Sequence, residues 1–312
     1  MMKKTFAAAL LAASLPSLAL AQPQTQTAAP APAPASAPAS APLPNVSPAM
    51  WVVKDSDTTI YLFGTIHALD GKRDWFNDEV KTAFDRSQEV VFEIKTPEPA
   101  AAAPIMMKAA AATDGKTLTS RLTPEQVKLL TSELAAVGAP ANALDNFDPW
   151  FAAVQLVQIR MMKMGVKPEH GVETVLEAAA KRSGKTIGAV ETFEWQIGLF
   201  DSLSPKAQLA MLTGYLEELE EGDAMFGKMV DHWSGGKVED LAALMNEALS
   251  EDPELAKKLL EDRNARWAEW IGRRMGQPGT VFMAVGAGHL AGKGSVQDYL
   301  AKKGLKAKRV KS

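Results

Sequence analysis

Apolar positions come in short runs at both ends of the chain and in helical spacing through its middle. Trp51 to Lys54 and Thr58 to Phe63 are β-rich runs separated by Asp55-Ser56-Asp57, which predicts a hairpin running directly into Gly64-Thr65-Ile66-His67. A helix is predicted from about Asn77 to Arg86. Glu89-Val90-Val91-Phe92-Glu93-Ile94 then has the continuous apolar character of a buried strand, with Glu93 as its one charge. Thr123-Pro124-Glu125-Gln126 is a capping box with proline at the first helical position, and Gly138 supplies the stop. Asp148-Pro149 opens a helix to about Met164, before Gly165. Gly171 to Arg182 makes another, ended by Gly184. Lys185 to Val190 is a strand candidate that delivers Glu191. From Thr192 to Gly272 the pattern is helical, broken at Ser204-Pro205, Gly235-Gly236 and Asp252-Pro253. Methionines 211, 225, 229 and 245 are expected in the core of that region. Thr280 to Val285 is a strand, Gly286-Ala287-Gly288-His289 its exit turn, Ser295 to Lys302 a helix, and Lys306 to Val310 a closing strand. A unit of strand, Gly-x-x-His and helix therefore occurs twice. The expected fold is α/β: a central mixed β-sheet flanked by helices, with a large helical insertion between the two units.

The ends of the chain change the picture. Met1-Met2-Lys3-Lys4, the apolar run from Phe6 to Leu20, and Ala19-Leu20-Ala21 before Gln22 have the order of a secretory signal peptide, placed at residues 1–21. The apolar run is short for a bilayer span, so removal is expected to leave no stable membrane anchor. Residues 22–49, rich in alanine and proline, read as an extended tether, and residues 50–312 as the folded domain. A periplasmic or secreted location follows. The chain has no cysteine, which excludes disulfides and thiolate ligands and leaves His, Asp and Glu to hold any metal. A formal net charge of −3, more negative once Lys3 and Lys4 leave, argues against nucleic acid as a partner. The basic stretch from Lys302 to Lys311 reads as a solvated tail or a weak contact for anionic surfaces.

Of four histidines, His67 and His289 occupy the same kind of strand-exit position. Ligands collect at the carboxyl ends of strands in such sheets, so the two are expected to face one cleft. Gly64 and Gly286 are read as letting the backbone turn sharply off the strand beside a ligand. Glu93, inside an apolar strand, and Glu191, at the end of another, each need a cation, metal or hydrogen-bond partner. Two histidines with one or two glutamates suit a divalent ion, zinc included; without metal, a histidine backed by a glutamate suits a general base. Arg263, beside Asn264, is a candidate to pair a carboxylate or stabilise a developing oxyanion. His232 reads as a helix-end or packing residue, and His170 as a loop residue within reach of the cleft. Gly286-x-Gly288-x-x-Ala291 matches a dinucleotide fingerprint in form, but no second strand with a ribose-binding acid can follow it.

Together, Tyr61-Leu62-Phe63-Gly64-Thr65-Ile66-His67, the strand ending in Glu93, Gly171-Val172-Glu173, Glu191-Thr192, Arg263-Asn264 and Val285-Gly286-Ala287-Gly288-His289-Leu290, with Gly292 and Gly294, resemble the TraB/GumN group, which includes the Tiki proteins. The resemblance implies a mixed sheet flanked by helices, related in fold to erythromycin esterase and to a haem-iron-associated bacterial group. Through Tiki it implies metal-dependent peptide cleavage with manganese or cobalt. Carried over by position, it makes His67 and His289 the paired site histidines, with Glu93 completing the metal ligands and Glu191 and Arg263 beside them. Glu173 stands where an aspartate is more usual. Trp267 stands where a smaller apolar residue is expected, a change expected to affect only helix packing. The leading expectation is a metal-dependent hydrolase, peptidase-like, acting on a peptide or small molecule. The alternatives are a metal-independent esterase with a histidine base, and a protein that binds metal, haem or polysaccharide without turnover.

Overall fold

A computed structural model describes residues 42–249 and 252–311; the signal peptide and most of the tether lie outside the described residues. The last residues assigned to the tether are bonded to the domain. Asp74 N–H donates to the Pro44 carbonyl at 3.0 Å, and the amides of Val46 and Ser47 donate to Asp74 and Ser234, each at 3.1 Å.

The sheet has six strands: β1 (Met50–Lys54), β2 (Thr58–Thr65), β3 (Glu89–Phe92), β4 (Thr186–Ala189), β5 (Gly279–Gly286) and β6 (Lys308–Arg309). They lie in the order β4-β3-β5-β2-β1-β6. The pairs β4/β3, β3/β5 and β5/β2 are parallel, while β1 is antiparallel to both its neighbours. The mixed α/β architecture is the one expected. Its decisive feature is that β5, from the end of the chain, inserts between β2 and β3. Thr58 to Thr65 then pairs with Gly279 to Gly286, which brings the two Gly-x-x-His turns side by side.

The central strands are buried on both faces, so their apolar runs are continuous rather than alternating. On one face Phe63, Val90, Phe92, Phe282 and Ala284 join the core of the helical insertion. On the other, Ile60, Leu62, Val91, Val281, Met283 and Val285 pack on Trp267, Ala268 and Ile271 of helix Asp262–Arg274 and on Val296 and Leu300 of helix Val296–Lys302. The Thr123 capping box forms with both reciprocal bonds, and Gly138, Gly165 and Gly184 take positive φ where helix stops were expected. Met211 and Met245 are buried, and Met225 and Met229 pack partly buried against the same core.

Two local expectations need correction, and one helix was not foreseen. Glu93 is not inside β3, which ends at Phe92; it is the first residue beyond it. The closing strand shortens to Lys308 and Arg309, which pair with Val52 and Trp51. A helix at Pro99–Ala110 has no counterpart in the sequence reading, because Pro99, Pro104 and a run of alanines obscure its periodicity. No helix among the described residues is long and apolar enough to cross a membrane.

Trp233 ties the insertion to the first turn: its buried Nε1 donates to the Gly64 carbonyl at 2.8 Å. Trp233→Phe keeps the ring and leaves that carbonyl without its donor. It should lower unfolding stability by about 1–3 kcal/mol; an unchanged denaturant midpoint would show that the bond carries no weight.

Candidate active site

Four of the functional side chains stand just beyond the carboxyl ends of four different parallel strands. In spatial order these are Glu191 after β4, Glu93 after β3, His289 after β5 and His67 after β2. The hydrogen-bond ladder continues past the strands, with Val190 N–H on the Phe92 carbonyl at 3.1 Å and Glu191 N–H on the Glu93 carbonyl at 2.8 Å. All four expected acids and histidines, and Arg263, therefore meet at the edge of the sheet where open α/β folds bind ligands.

Arg263 is the hub. It comes from helix Asp262–Arg274, which is preceded by a π-helical turn, Lys257–Glu261, a local widening common at functional sites. Its Nη2 donates to Glu93 Oε2 at 2.6 Å and to Glu191 Oε2 at 2.7 Å, its Nε to Glu191 Oε1 at 2.9 Å, and its Nη1 to the Leu259 carbonyl at 3.3 Å. Gln196 Nε2 adds bonds to Glu93 Oε2 at 3.1 Å and Glu191 Oε2 at 3.4 Å, and Trp267 Nε1 donates to Glu191 Oε1 at 2.9 Å. A carboxylate offers about four acceptor positions. Glu191, with its side chain 0% exposed, has all of them filled. Glu93 accepts the two bonds on Oε2 and one on Oε1, from Gly286 N–H at 2.7 Å, so acceptor capacity remains on Oε1. The two glutamates thus differ: one is committed to holding Arg263, the other is available.

The histidines differ as well. His67 Nδ1 lies 2.6 Å from Glu173 Oε1, which also accepts from the Thr65 hydroxyl. His289 Nδ1 lies 2.6 Å from Asn264 Oδ1, and Asn264 Nδ2 donates to the Gly294 carbonyl at 2.8 Å, which fixes the amide orientation. His289 therefore carries its proton on Nδ1 and accepts at Nε2, where Arg263 Nη1, which can only donate, stands at 3.2 Å. Exposure rises outward from the hub: the Arg263 side chain is 4% exposed, that of His67 17% and that of Glu173 25%. The cluster is most exposed on the His67 and Glu173 side.

The electrostatics follow from burial and partners. Burial acts to keep His67 neutral, but Glu173, with Glu93 behind it, outweighs burial and raises its pKa above the ordinary value. Burial and then Arg263 drive the His289 pKa down to about 3, so it is neutral at neutral pH. Burial alone would raise Glu93, but Arg263, the two histidines and the Gly286 amide bring it down to about 2. Burial raises Glu191 against the pull of Arg263. Two carboxylates on one guanidinium titrate as a pair, and their affinities for protons are driven apart.

The glycines act by what they lack. Neither Gly64 nor Gly286 takes a positive φ, so the expected sharp turn is not their role. A Cβ on Gly64 would lie 3.1 Å from Ala287, where the two turns touch. A Cβ on Gly286 would lie 3.1 Å from Glu93 Oε1, 3.5 Å from His289 Cδ2 and 3.9 Å from His67 Nε2; it would fill the gap these three groups border. A Cβ on Gly171 would fall 2.0 Å from the His67 carbonyl oxygen. Its absence lets the first turn of helix Val172–Arg182 come close enough for Val172 N–H to reach the Ile66 carbonyl at 3.0 Å and Glu173 to reach His67.

The donor chemistry around the Gly286 gap suits a divalent cation: two imidazoles, each held through Nδ1 by a neighbour, and a carboxylate oxygen with capacity left. Among the described residues, no three His, Asp or Glu side chains already stand at ligand spacing, and Arg263 faces His289 Nε2 and holds Glu93. Metal ligation by His67, Glu93 and His289 thus requires the Arg263 contact with His289 to open. Two site residues escaped the sequence reading. Gln196 is an ordinary helical glutamine by pattern. Trp267, expected only to pack a helix, bonds Glu191, lies 4.3 Å from the His289 ring and carries the Arg263 guanidinium at 4.8 Å. His232 sits 3.7 Å from Asp240, and His170 packs over Gly71.

The model of the TraB/PrgY/gumN family matches residues 49–309, and the chain belongs to that family. It is similar to the uncharacterized protein YbaP of Escherichia coli (strain K12), 26% identical over 183 residues, 59% of this chain and 67% of the relative. It is also similar to an uncharacterized protein of Treponema pallidum (strain Nichols), 23% identical over 273 residues, 82% of this chain and 80% of the relative. No solved structure gives a significant match.

Two outcomes follow from the geometry. Gly171→Ala should destabilise the protein by roughly 1–3 kcal/mol through overpacking and separate His67 from Glu173. An undisturbed midpoint together with an intact His67 Nδ1–H resonance would contradict it. For acid stability, unfolded His289 takes a proton at about 6.5 while the folded residue resists it down to about 3, so between these values the unfolded state binds more protons. Metal-free protein should lose stability as pH falls through that window, and His289→Gln should remove this part of the acid limb. Parallel acid limbs in the two proteins would refute the buried neutral assignment.

Proposed function

We propose that the chain is an exported hydrolase in which His67, Glu93 and His289 hold a divalent cation, manganese or cobalt before zinc, and which cleaves amide bonds of peptides. The observation that carries the reading is the gap over Gly286, bordered by Glu93 Oε1, the His289 ring and His67 Nε2. The acidic surroundings agree: Glu93, Glu191 and Glu173 gather about Arg263 and His67. The resemblance to Tiki favours peptides over other acyl compounds, and the signal at residues 1–21 favours the periplasm.

A bound divalent cation supplies Lewis acidity, polarising a carbonyl and making water nucleophilic near neutral pH. The chain's own residues prepare the place. Glu173 and Asn264 hold the Nδ1 protons, so each histidine presents Nε2. Glu191 retains Arg263, and Arg263 with Gln196 pins Glu93 Oε2 so that Oε1 faces the gap. Substrate enters from the His67 and Glu173 side, and the Arg263 guanidinium lies within the cluster to oppose negative charge developing on a carbonyl oxygen.

A second reading rests on the 2.6 Å contact of His67 Nδ1 with Glu173, which is the arrangement of a general base with its orienting carboxylate. On that reading hydrolysis survives exhaustive chelation and is lost on replacing His67 alone.

The test is metal content and hydrolysis of peptide and ester libraries by mature protein reconstituted with manganese, cobalt or zinc. The parent should hold near-stoichiometric metal. The His67→Ala, His289→Ala double variant should hold none while remaining folded, and chelation should abolish activity until metal is restored. Gly286→Ala, which fills the gap, should weaken metal binding at least about tenfold. Full hydrolysis by the double variant would end both readings.

A further inference from the structure

Of the fifty residues at 263–312, eleven are Lys or Arg and two are Asp or Glu, in a chain whose formal net charge is −3. Residues 191–262 reverse the balance, with seventeen Asp and Glu against five Lys and Arg. The sheet separates the two segments. Phe193, Ile197, Phe226 and Leu260 of the acidic one join the core on one face, and Trp267, Ile271, Val296 and Leu300 of the basic one cover the other. Because the charge follows the layers of the fold, the molecule has a cationic face that extends well beyond the basic end of the chain.

That face is continuous. A Cβ on Gly272 of helix Asp262–Arg274 would lie 3.9 Å from Leu305 Cδ1, and Glu269 of the same helix lies 3.9 Å from Lys303 Nζ, so the helix runs beside the segment that carries Lys306 and Lys308. The inner side of this layer is committed to the sheet, and its exposed cations, Arg266 and Arg273 included, therefore point outward. Among the described residues, Glu269 is the only carboxylate within ion-pair distance of these outward cations. Aromatic rings accompany them. Lys302 lies 4.3 Å from the centre of the Tyr299 ring, Arg309 5.1 Å from that of Trp51 and Arg266 3.8 Å from that of Trp195. Trp51, Trp270 and Tyr299 pack against the core of this face and stay partly exposed. A solvated surface calls for the charges alone, whereas a ring beside a cation suits the boundary of a bilayer, where the ring meets acyl chains and the cation meets phosphate.

We propose that this face docks the protein on anionic phospholipid: its cations engage headgroup phosphates while Trp51, Trp270 and Tyr299 settle at the headgroup boundary. No helix among the described residues crosses a membrane, so the contact is peripheral and held by charge, which salt reverses. Helix Asp262–Arg274 then turns Arg263 inward to the site and Arg266 and Arg273 outward to the bilayer, which holds the site beside the membrane. The inference is independent of the metal and peptidase readings.

The experiment is co-sedimentation of the mature protein with vesicles of phosphatidylglycerol and phosphatidylethanolamine, and with vesicles of phosphatidylcholine, at low and high salt. The protein should bind the anionic vesicles at low salt, leave them at high salt and ignore the neutral ones. A variant with Lys302→Gln, Lys306→Gln, Lys308→Gln and Lys311→Gln should bind at least about a hundredfold more weakly, at about fivefold for each cation near the surface. A control with Lys108→Gln, Lys128→Gln, Lys206→Gln and Lys228→Gln, all exposed lysines outside this layer, changes net charge equally and should bind like the parent. Both variants should keep the parental denaturant midpoint, and salt release of the parent tests the charge dependence without any substitution. Tryptophan emission should shift to shorter wavelength on the anionic vesicles. No binding to anionic vesicles overturns the proposal, and so does equal loss in the two variants, because net charge then does the binding. Retention on dextran sulfate without vesicle binding overturns it in favour of an anionic polysaccharide, and unmoved emission in sedimented protein overturns it in favour of charge alone.

Discussion

The Arg263 guanidinium, 4% exposed, lies between two carboxylates at 2.6 and 2.7 Å, and the edge of the sheet is built to keep it there. Burying one positive and two negative side chains carries a desolvation cost that their mutual attraction offsets only if the remaining hydrogen-bond positions are also filled. Gln196, Trp267, the Gly286 amide and the Leu259 carbonyl fill all of them but a position on Glu93 Oε1. Apolar residues of similar volume would hold the same elements together at least as well. The cluster is therefore a poor device for stability and a good one for presenting Glu93 and His289 in fixed orientations.

The fold delivers that presentation through one topological choice. Glu93 and His67 follow strands that are not neighbours, and it is the late insertion of β5 between them that closes the row and sets His289 between the other two. Small side chains then allow the approach. Gly64 gives way to Ala287 where the turns touch, Gly171 to the His67 carbonyl, and Gly286 to the gap itself. Each is a contact of backbone with neighbour rather than a special dihedral angle, so a methyl group at any of the three acts directly on the site.

Much of this was legible in the sequence because strand exits carry strong local signals. Apolar runs ending in Gly-x-x-His placed both histidines, and an isolated charge in an apolar run marked Glu93, although its strand ends one residue earlier than the pattern suggested. The repeated turn implied that the two histidines share one end of the sheet, and the β2/β5 pairing sets the two turns side by side there. What the sequence withheld were contacts between distant helices. Glu173 and Asn264 lie in ordinary helical surroundings, and only the three-dimensional packing shows that they hold the two Nδ1 atoms. Trp267, standing where a smaller apolar residue is expected, reads as a change in helix packing alone, and only the folded structure shows its N–H on Glu191. The helix at Pro99–Ala110 was hidden by composition, since alanine and proline carry little periodic information.

Belonging to the TraB/PrgY/gumN family fixes the frame and leaves the chemistry to the residues. The most direct test of the central claim is anomalous diffraction from crystals of the mature protein grown with saturating cobalt or manganese. The account predicts one strong peak in the gap over Gly286, in contact with His67 Nε2, Glu93 Oε1 and His289 Nε2, with the Arg263 Nη1 contact to His289 opened. Density showing that contact intact, with no peak in the gap at saturating metal, would contradict it.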